Sequence, residues 1–413
     1  MIEIKEEKIN STKKIEEYLK PQTIYLPLEV NGITYNHHVK EGDYVYKADI
    51  IATSNEGFPL HSPISGYVYG GTKKMINSGQ IVKCIVIEND FKEKYRQRLG
   101  TKQKITNLTK EEFVTKLKNS GIVGLSGNGF PTYKKYTANI RYLIVNGIEC
   151  EPYNSCDNAI MYQNAEEILE AIDAIMEINK IEKAYIGVNE NNTKIIDNFL
   201  KYINTYPNIK VYPIPNYYPS GWERNLVKTI FNVEYEKYPT EKNILVENVQ
   251  TLQAIYEMLK YSHPLMERII TINGDGIKKP SNIKVKIGTM INEVIQNTSG
   301  YKKKVDNHLF VANGLLNGTS LPSDEIVVTK DLTSIVVLTN VDEKVYPCIK
   351  CGKCIKHCPA KIKPVIIMNN LKNKTYLQKL HPEKCIGCGL CSYICPSRVE
   401  VKEFVKKARD LLW

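Results

Sequence analysis

The sequence predicts a multidomain fold that joins α/β and β architecture in four consecutive parts. Three observations support this prediction. Strand-like and helix-like segments alternate only in the middle of the 413-residue chain, short β segments rich in Gly and Pro flank them, and eight of the eleven cysteines lie within residues 348–395. We expect a flattened β-barrel at 1–105, an α/β domain at 106–262, a small β-grasp module at 263–340 and a cysteine-rich domain at 341–413.

The first part is predicted to open with a short helical patch and to continue as a flattened, barrel-sandwich-like β-barrel. VKEGDYVYKADIIATS and HSPISGYVYGG alternate apolar and polar residues between turn residues, as strands do. The pattern G-D-x-V followed by S-P-x-S-G resembles lipoyl and biotinyl carrier domains. Those domains present a lysine at a hairpin tip, but the connecting stretch SNEGFPLH has none. We therefore expect a structural or docking role for this part.

The second part has the rhythm of a parallel sheet with helices on its faces. The strand-like segments YLIVNG, KAYIGVNE and ILVEN are separated by amphipathic stretches such as AEEILEAIDAIMEI. A glycine-rich loop, GIVGLSGNGFPTYKKY at 121–136, comes before the first of these strands. In a Rossmann fingerprint the glycines follow a strand and open a helix, so this loop does not predict a Rossmann fold.

Composition excludes some functions. The net charge of +11 comes from 49 Lys against 7 Arg, scattered among Asp and Glu, without the Arg-rich aromatic patch of nucleic-acid-binding proteins. No apolar run reaches the roughly eighteen residues that a transmembrane helix needs, and the polar N-terminus is unlike a signal peptide. We expect a cytoplasmic protein with no transmembrane segment of its own, able to sit as a peripheral subunit on the inner face of the cell membrane.

Two cysteine motifs predict two [4Fe–4S] clusters. The spacing C-x2-C-x2-C-x3-C-P occurs at 348–359, here called motif I, and again at 385–396, motif II. Three closely spaced thiolates bind one cubane, and the fourth, beside a proline, reaches the other cubane. Structural zinc is the alternative, but zinc sites usually pair two C-x2-C knuckles across a longer loop. The expected ligands are Cys348, Cys351, Cys354 and Cys395 for cluster I, and Cys385, Cys388, Cys391 and Cys358 for cluster II.

The glycine loop gains a second interpretation from these clusters. Clusters carry single electrons, and a flavin is the usual converter between them and a two-electron hydride. G-L-S-G-N-G-F-P-T, followed by I-V-N-G-I-E-C-E-P-Y, resembles the C subunit of the Rnf electron-transport complex and, more distantly, the flavoprotein subunit of respiratory complex I. YPSGWE, LVENVQT, NGDGIKKPSN and both cysteine motifs match the same family in the same order.

The resemblance implies an NADH-dependent electron-transfer oxidoreductase subunit. Electrons would pass from NADH through FMN and two [4Fe–4S] clusters to other electron-transfer subunits, or to ferredoxin, with no acid–base catalytic residue. The glycines and a lysine would meet phosphate, an asparagine the flavin ring, and two glutamates the flavin and nicotinamide ribose. The residues that the resemblance places around FMN and NADH are Gly124, Gly127, Gly129, Phe130, Lys135, Asn146, Glu149, Glu151, Glu223, Asn248 and Thr251.

Some positions depart from the family pattern. Ser126 and Asn128 replace a usual glycine and alanine, Trp222 replaces a glycine, and the usual Gly-Gly-Ile-His-Pro opening is missing. Two alternatives therefore stay open. One is a soluble relative that feeds an amino-acid reductase such as proline reductase, and the other is a non-catalytic iron–sulfur electron relay with a degenerate nucleotide pocket.

Overall fold

The computed structural model describes residues 2–4, 7–96, 108–302, 308–339 and 344–412. Its N-terminal part contains two curled four-stranded antiparallel sheets, with strand orders β2-β9-β8-β5 and β3-β4-β6-β7. The predicted boundaries at 105/106 and 340/341 lie outside the described residues. The strands of this part are β1 (Glu16–Tyr18), β2 (Thr23–Pro27), β3 (Glu29–Val30), β4 (Ile33–His37), β5 (Tyr44–Val45), β6 (Ile50–Ser54), β7 (Pro59–His61), β8 (Gly66–Met75) and β9 (Ile81–Asn89).

The prediction of a short helical patch at the start of the chain is wrong for the described residues. The first element there is strand β1, which pairs in parallel with residues 281–286 of the third part and not with the barrel. Ser281 donates a hydrogen bond to the Glu16 carboxylate (2.9 Å), and Tyr18 donates one to Glu293 (2.7 Å). The strand pairing satisfies the backbone groups of residues 16–18, and these side-chain bonds to distant residues add to it, so the segment is extended although a short isolated helix would be marginal.

The second part is built on a parallel sheet, as predicted. Its strand order is β12-β11-β10-β13, so the chain moves outward from β10 to β12 and returns on the other side of β10. The point of return between β10 and β13 is a topological switch point, where open α/β sheets bind ligands beyond the carboxyl ends of the strands. The elements are α1 (Lys110–Asn119), β10 (Tyr142–Asn146), α2 (Cys156–Gln163), α3 (Ala165–Asn179), β11 (Lys183–Asn189), α4 (Thr193–Leu200), β12 (Ile209–Ile214), α5 (Glu223–Phe231), β13 (Ile244–Asn248) and α6 (Val249–Tyr261).

The third part contains a mixed sheet and a short helix. The sheet has the order β1-β15-β14-β18-β16-β17 and includes the strand contributed by the N-terminus. Its buried face has a separate apolar core, in which Ile270, Ile272 and Ile335 are fully buried. The elements are β14 (Glu267–Asn273), β15 (Ser281–Lys286), α7 (Ile291–Asn297), β16 (Leu309–Ala312), β17 (Thr319–Leu321) and β18 (Ser334–Leu338).

The C-terminal part repeats one backbone conformation in its two cysteine motifs. Cys385 stands 37 positions after Cys348, and the short helices of the two motifs keep the same offset. Positive φ angles also recur in equivalent pairs: Lys350 with Gly387, Gly352 with Gly389, and Lys361 with Arg398. The helices are α8 (Lys353–Lys356), α9 (Pro364–Asn369), α10 (Lys374–Lys379), α11 (Leu390–Tyr393) and α12 (Val401–Asp410), and short 3₁₀ helices lie at Thr132–Thr137, Ile203–Thr205, Pro239–Lys242 and Pro382–Lys384.

Across the described ranges, every helix is too short or too polar to cross a lipid bilayer.

Candidate nucleotide crevice and cluster sites

Two asparagines mark the carboxyl ends of the strands at the switch point. Asn146 ends β10 directly opposite Asn248, which ends β13. The Asn248 side chain caps α6 by accepting from the amides of Gln250 (2.9 Å) and Thr251 (3.4 Å). Asn146 donates to the carbonyl of Gly221 (2.8 Å) and accepts from the amide of Ile148 (3.1 Å). Both side chains therefore fix the loops that border the crevice.

The glycine loop lies at the same edge of the sheet. The Leu125 amide donates to Thr251 Oγ1 at 3.0 Å, which attaches the loop to the first turn of α6. Within the loop, the Gly124 amide donates to the Phe130 carbonyl at 2.8 Å, and the Phe130 side chain stays 40% exposed. The structure thus brings the loop, Asn248 and Thr251 together, while their contacts with a nucleotide stay predictions.

Three consecutive amides of this loop are open. In the described part of the chain, the amides of Ser126, Gly127 and Asn128 donate no intramolecular hydrogen bond. Gly127 has a φ of 100°, and a Cβ added there would meet only a Thr333 methyl at 3.9 Å. Successive free amides in a turn of this kind form a concave site for an anion. This geometry fits a nucleotide phosphate.

The other two glycines of the predicted site lie close to asparagine side chains. A Cβ at Gly124 would lie 2.6 Å from Asn128 Oδ1, and a Cβ at Gly129 would lie 2.1 Å from Asn31 Nδ2. Gly129 also has a φ of 61°, a conformation that side chains disfavour. The backbone conformation at Gly129 therefore favours glycine even without a ligand, whereas a Cβ at Gly124 would only require the exposed Asn128 side chain to move.

Lys135 lies against strand β13. Its ammonium donates to the Val246 carbonyl at 3.0 Å and to the Glu247 carboxylate at 3.3 Å. Burial raises the pKa of Glu247, and one of its oxygens has no hydrogen-bond partner among the described residues. Nearby, Tyr235 donates to Glu223 at 2.8 Å. The lysine thus counters a buried carboxylate in this structure, and its predicted phosphate contact stays a prediction.

Glu149 precedes α2 in the sequence, and its buried carboxylate lies against the first turn of that helix. Its carboxylate accepts from the amides of Asp157 and Asn158, each at 3.3 Å, and from the Cys156 thiol at 3.5 Å. Burial, followed by the nearby Asp157 carboxylate, raises the pKa of Glu149 to about 8. Two acidic groups so close together in a dry site favour sharing a proton.

Glu151 faces the third part of the chain. Its carboxylate accepts from the amides of Leu316 (2.9 Å) and Asn317 (3.1 Å). Burial raises its pKa to about 7. The two predicted glutamates therefore have different neighbours: Glu149 contacts α2, whereas Glu151 joins the crevice loop to the segment before β17.

Two further charged residues belong to this region but are absent from the predicted set. Asp157 accepts from Asn248 Nδ2 at 2.6 Å, and the buried Arg268 guanidinium donates to the carbonyl of Leu125 at 3.2 Å. Arg268 stands in the apolar strand segment RIITI, and a charge inside a buried strand is the sequence signal that identifies it. Arg268 therefore holds the glycine loop, and Asp157 holds Asn248, the residue that caps α6.

The thiols expected to bind cluster II lie near one another. Burial, followed by the neighbouring Cys388, Cys385 and Cys358, raises the pKa of Cys391 to about 12. Burial, with Cys385 and Cys358 nearby, raises the pKa of Cys388 to about 11. Cys358 of motif I is thus among the thiols of motif II, which agrees with crossed ligation, although the ligand assignment stays a prediction.

Motif II is packed against the α/β domain. Cys388 is 7% exposed and shares an apolar group with Tyr218, Leu316 and Leu390. Trp222 is partly buried and packs against the same group. In contrast, Cys351, the counterpart of Cys388 in motif I, is exposed.

Comparison with known proteins agrees with this arrangement. Three family models match successive parts of the chain: the RnfC barrel sandwich hybrid domain at 2–92, the Nuo51 FMN-binding domain at 117–257 and a 4Fe-4S dicluster domain at 340–401. An FMN-binding domain joined to a dicluster domain defines an electron-transfer oxidoreductase subunit, with FMN and two [4Fe–4S] clusters as cofactors.

Whole-length relatives identify the family. The C subunit of the ion-translocating oxidoreductase complex of Rhodobacter capsulatus is 30% identical over 371 residues, covering 86% of this chain and 71% of that protein. The corresponding C subunits of a proton-translocating ferredoxin:NAD(+) oxidoreductase complex from Clostridium ljungdahlii and of a Na(+)-translocating one from Acetobacterium woodii are each 30% identical, covering 87% and 84% of this chain and 81% of each relative. The chain belongs to the family of Rnf complex C subunits.

Proposed function

We propose that this chain exchanges electrons between NADH and a one-electron partner, using the crevice at the switch point and then the two clusters. FMN, when bound, supplies the conversion between a two-electron hydride and single electrons. The observation that carries the proposal is the apolar group that Cys388 shares with Tyr218, Trp222 and Cys150, the residue between Glu149 and Glu151. Because this group joins motif II to the loop that carries both glutamates, we place cluster II before cluster I in the path from NADH.

The residues of the crevice have separate tasks in this proposal. The open amides of Ser126, Gly127 and Asn128 hold the FMN phosphate, because they are consecutive in a turn and donate no bond within the described part of the chain. Asn146 and Asn248 keep the bordering loops in place through their backbone hydrogen bonds. Glu149, with its raised pKa, presents a mostly protonated carboxyl at neutral pH, which avoids an unpaired buried anion beside the cofactor.

Anaerobic titration with NADH tests the proposal. The purified protein, with FMN added, should show bleaching of the flavin band and of the broad cluster absorbance as NADH is added. Denaturation should release about one FMN per chain. A protein that neither retains FMN nor responds to NADH, yet is reduced by dithionite, would contradict the proposal and favour the electron-relay adaptor.

We propose further that the protein acts as a peripheral subunit on the inner face of the cell membrane. The relatives are named as C subunits of ion-translocating complexes, which supports a membrane-bound assembly for this chain as well. A cell fractionation in which the protein follows the membranes, and leaves them in high salt, is expected. Recovery only in the soluble fraction, bound to an amino-acid reductase, would contradict this and support the soluble alternative.

A further inference from the structure

Motifs I and II share a backbone conformation but differ in their surroundings. A Cβ added to Gly389 of motif II would lie 1.8 Å from the Leu316 carbonyl oxygen, because this loop is pressed against the third part of the chain. A Cβ added to the equivalent Gly352 would meet no atom within 4 Å. The loop around Gly389 therefore packs against the rest of the protein, whereas the equivalent loop around Gly352 does not.

The side chains of the two loops follow the same contrast. Ile386 of motif II packs into the apolar group around Cys388, whereas its counterpart Ile349 is 67% exposed. Leu390 is 1% exposed, and its counterpart in motif I is the exposed Lys353. Exposed apolar residues are common singly, but Ile349 stands two positions before Cys351, an exposed cysteine expected to bind cluster I.

We call the exposed residues within and just before motif I the free face; they are Val345, Tyr346, Ile349, Lys350, Cys351 and Lys353. Its apolar members Val345, Tyr346 and Ile349 are 63%, 54% and 67% exposed. The segment 344–363 contains six lysines and no acidic residue, and Lys350 and Lys353 are exposed beside Cys351. An apolar centre with a cationic rim is the composition of an interface that attracts an anionic protein.

We propose that the free face docks an acidic one-electron carrier protein and that cluster I exchanges electrons with it. This inference rests on the proposed function, because it takes cluster II as the cluster nearer to the crevice. In the exchange, one electron leaves one centre and reduces the other, and no bond is made or broken. The partner is expected to be a protein and not a lipid surface, since only a redox protein would use the exposed Cys351 side of the cluster.

Electrostatic steering gives the proposal a measurable signature. Complementary charge raises association rates between about 10-fold and 1,000-fold at low ionic strength, and salt removes the gain. Replacing lysines of the free face by glutamates should therefore slow electron transfer with an acidic carrier. Added salt should then leave the transfer rate of the variant unchanged or increase it.

The test uses the holoprotein reduced with dithionite, so that it does not depend on NADH. Stopped-flow mixing with an acidic ferredoxin measures the transfer rate, and cytochrome c serves as a basic acceptor. Lys350→Glu/Lys353→Glu should lower the ferredoxin rate about tenfold at low ionic strength and should not lower the cytochrome c rate. The neutral variant Lys350→Gln/Lys353→Gln should lie between the two.

Lys384→Glu is the matched control. This exposed lysine directly precedes Cys385 of motif II. Like Lys350→Glu made on its own, the variant reverses one charge beside a cluster ligand, but it does so outside the free face. It should keep the salt-dependent ferredoxin rate. An equal loss in the control, or an unchanged salt dependence in the double glutamate variant, would overturn the proposal.

Two further measurements separate the alternatives. Reduction of the chain's own clusters by NADH should be the same in the double variants and the unmodified protein. If NADH does not reduce the clusters even in the unmodified protein, the proposed function is rejected, while the docking test, which uses dithionite, still applies. Binding of the unmodified protein to phosphatidylserine-containing vesicles, lost in the glutamate variant without any change in the ferredoxin rate, would assign the free face to lipid and overturn the proposal.

Discussion

The phenolic oxygen of Tyr218 donates a hydrogen bond to the main-chain carbonyl oxygen of Cys388, and the two oxygens are 2.5 Å apart. Tyr218 belongs to the loop that leads into α5, whereas Cys388 belongs to motif II. The bond therefore joins the α/β domain to a predicted cluster ligand. Trp222 packs beside it and also interacts with the Tyr218 hydroxyl.

Tyr218→Phe should loosen motif II without removing its cysteines. The change leaves a buried carbonyl without its partner, a loss of about 1–3 kcal/mol. We expect faster hydrogen–deuterium exchange in residues 385–395 and slower cluster reduction by NADH. Tyr217→Phe is the control, because it removes the hydroxyl of the adjacent tyrosine. Equal exchange rates in both variants would show that the bond contributes nothing to docking.

The iron and sulfide content follows from the two cysteine motifs. Two cubanes require about eight iron and eight sulfide per chain, measured on anaerobically purified protein. Four irons or fewer, or stoichiometric zinc, would contradict the assignment.

Crossed ligation predicts that replacing the fourth cysteine of one motif by serine damages the cluster bound mainly by the other motif. Cys358→Ser should alter cluster II, and Cys395→Ser should alter cluster I, because each residue is the fourth ligand of the other motif's cubane. Electron paramagnetic resonance of the reduced variants should show loss or change of a different signal in each. Damage confined to each residue's own motif would contradict the crossed assignment.

Gly127→Val should abolish FMN retention and NADH-driven cluster reduction, while dithionite still reduces both clusters. The side chain would strain a φ of 100° and occupy the open side of the three free amides. Gly42→Val is the control, since Gly42 has a φ of 88°, no atom within 4 Å of an added Cβ, and lies outside the crevice. Equal loss of FMN in both variants would attribute the effect to backbone strain alone.

Glu149→Gln should flatten the pH dependence of stability. The folded protein holds the Glu149 proton up to a pKa of about 8, against an ordinary value of 4.5. The stability that this proton contributes is complete below the unfolded pKa and is lost as the pH rises through that window, by up to about 1.4 kcal/mol per pH unit. Urea unfolding of the holoprotein, followed by circular dichroism from pH 5 to 8, should show a smaller decline in the variant. The exposed Glu166→Gln should behave like the unmodified protein, and an equal decline in all three would contradict the prediction.

Local patterns predicted the parts of this protein that depend on neighbours in sequence. The spacing of Cys348, Cys351 and Cys354 and its repeat in motif II indicate the dicluster domain, because cubane ligation is set by short intervals. The alternation of strands and helices around Tyr142–Asn146 likewise predicts the parallel sheet.

The same local patterns do not predict contacts between segments that are far apart in the sequence. Nothing near Arg268 in the sequence indicates that its guanidinium reaches the Leu125 carbonyl, 143 positions away. The sequence shows Trp222 only as a replacement for a glycine, and no local pattern indicates that it packs with Tyr218 against motif II. Such contacts depend on how whole domains pack against one another, and no short sequence pattern indicates that packing.

The pairing of β1 with Ser281–Lys286 has a consequence for synthesis on the ribosome. Glu16 is made early, but its partner Ser281 follows 265 positions later. At about 5–20 residues per second, the first strand waits for about 13–53 s before its partner is made. During that wait its backbone is an unpaired edge, and the lysines and glutamates of the first twenty residues discourage it from adding to other chains. The sheet of the third part is completed later still, when β18 (Ser334–Leu338) is made, so β1 is the strand of this sheet that waits longest for its completion.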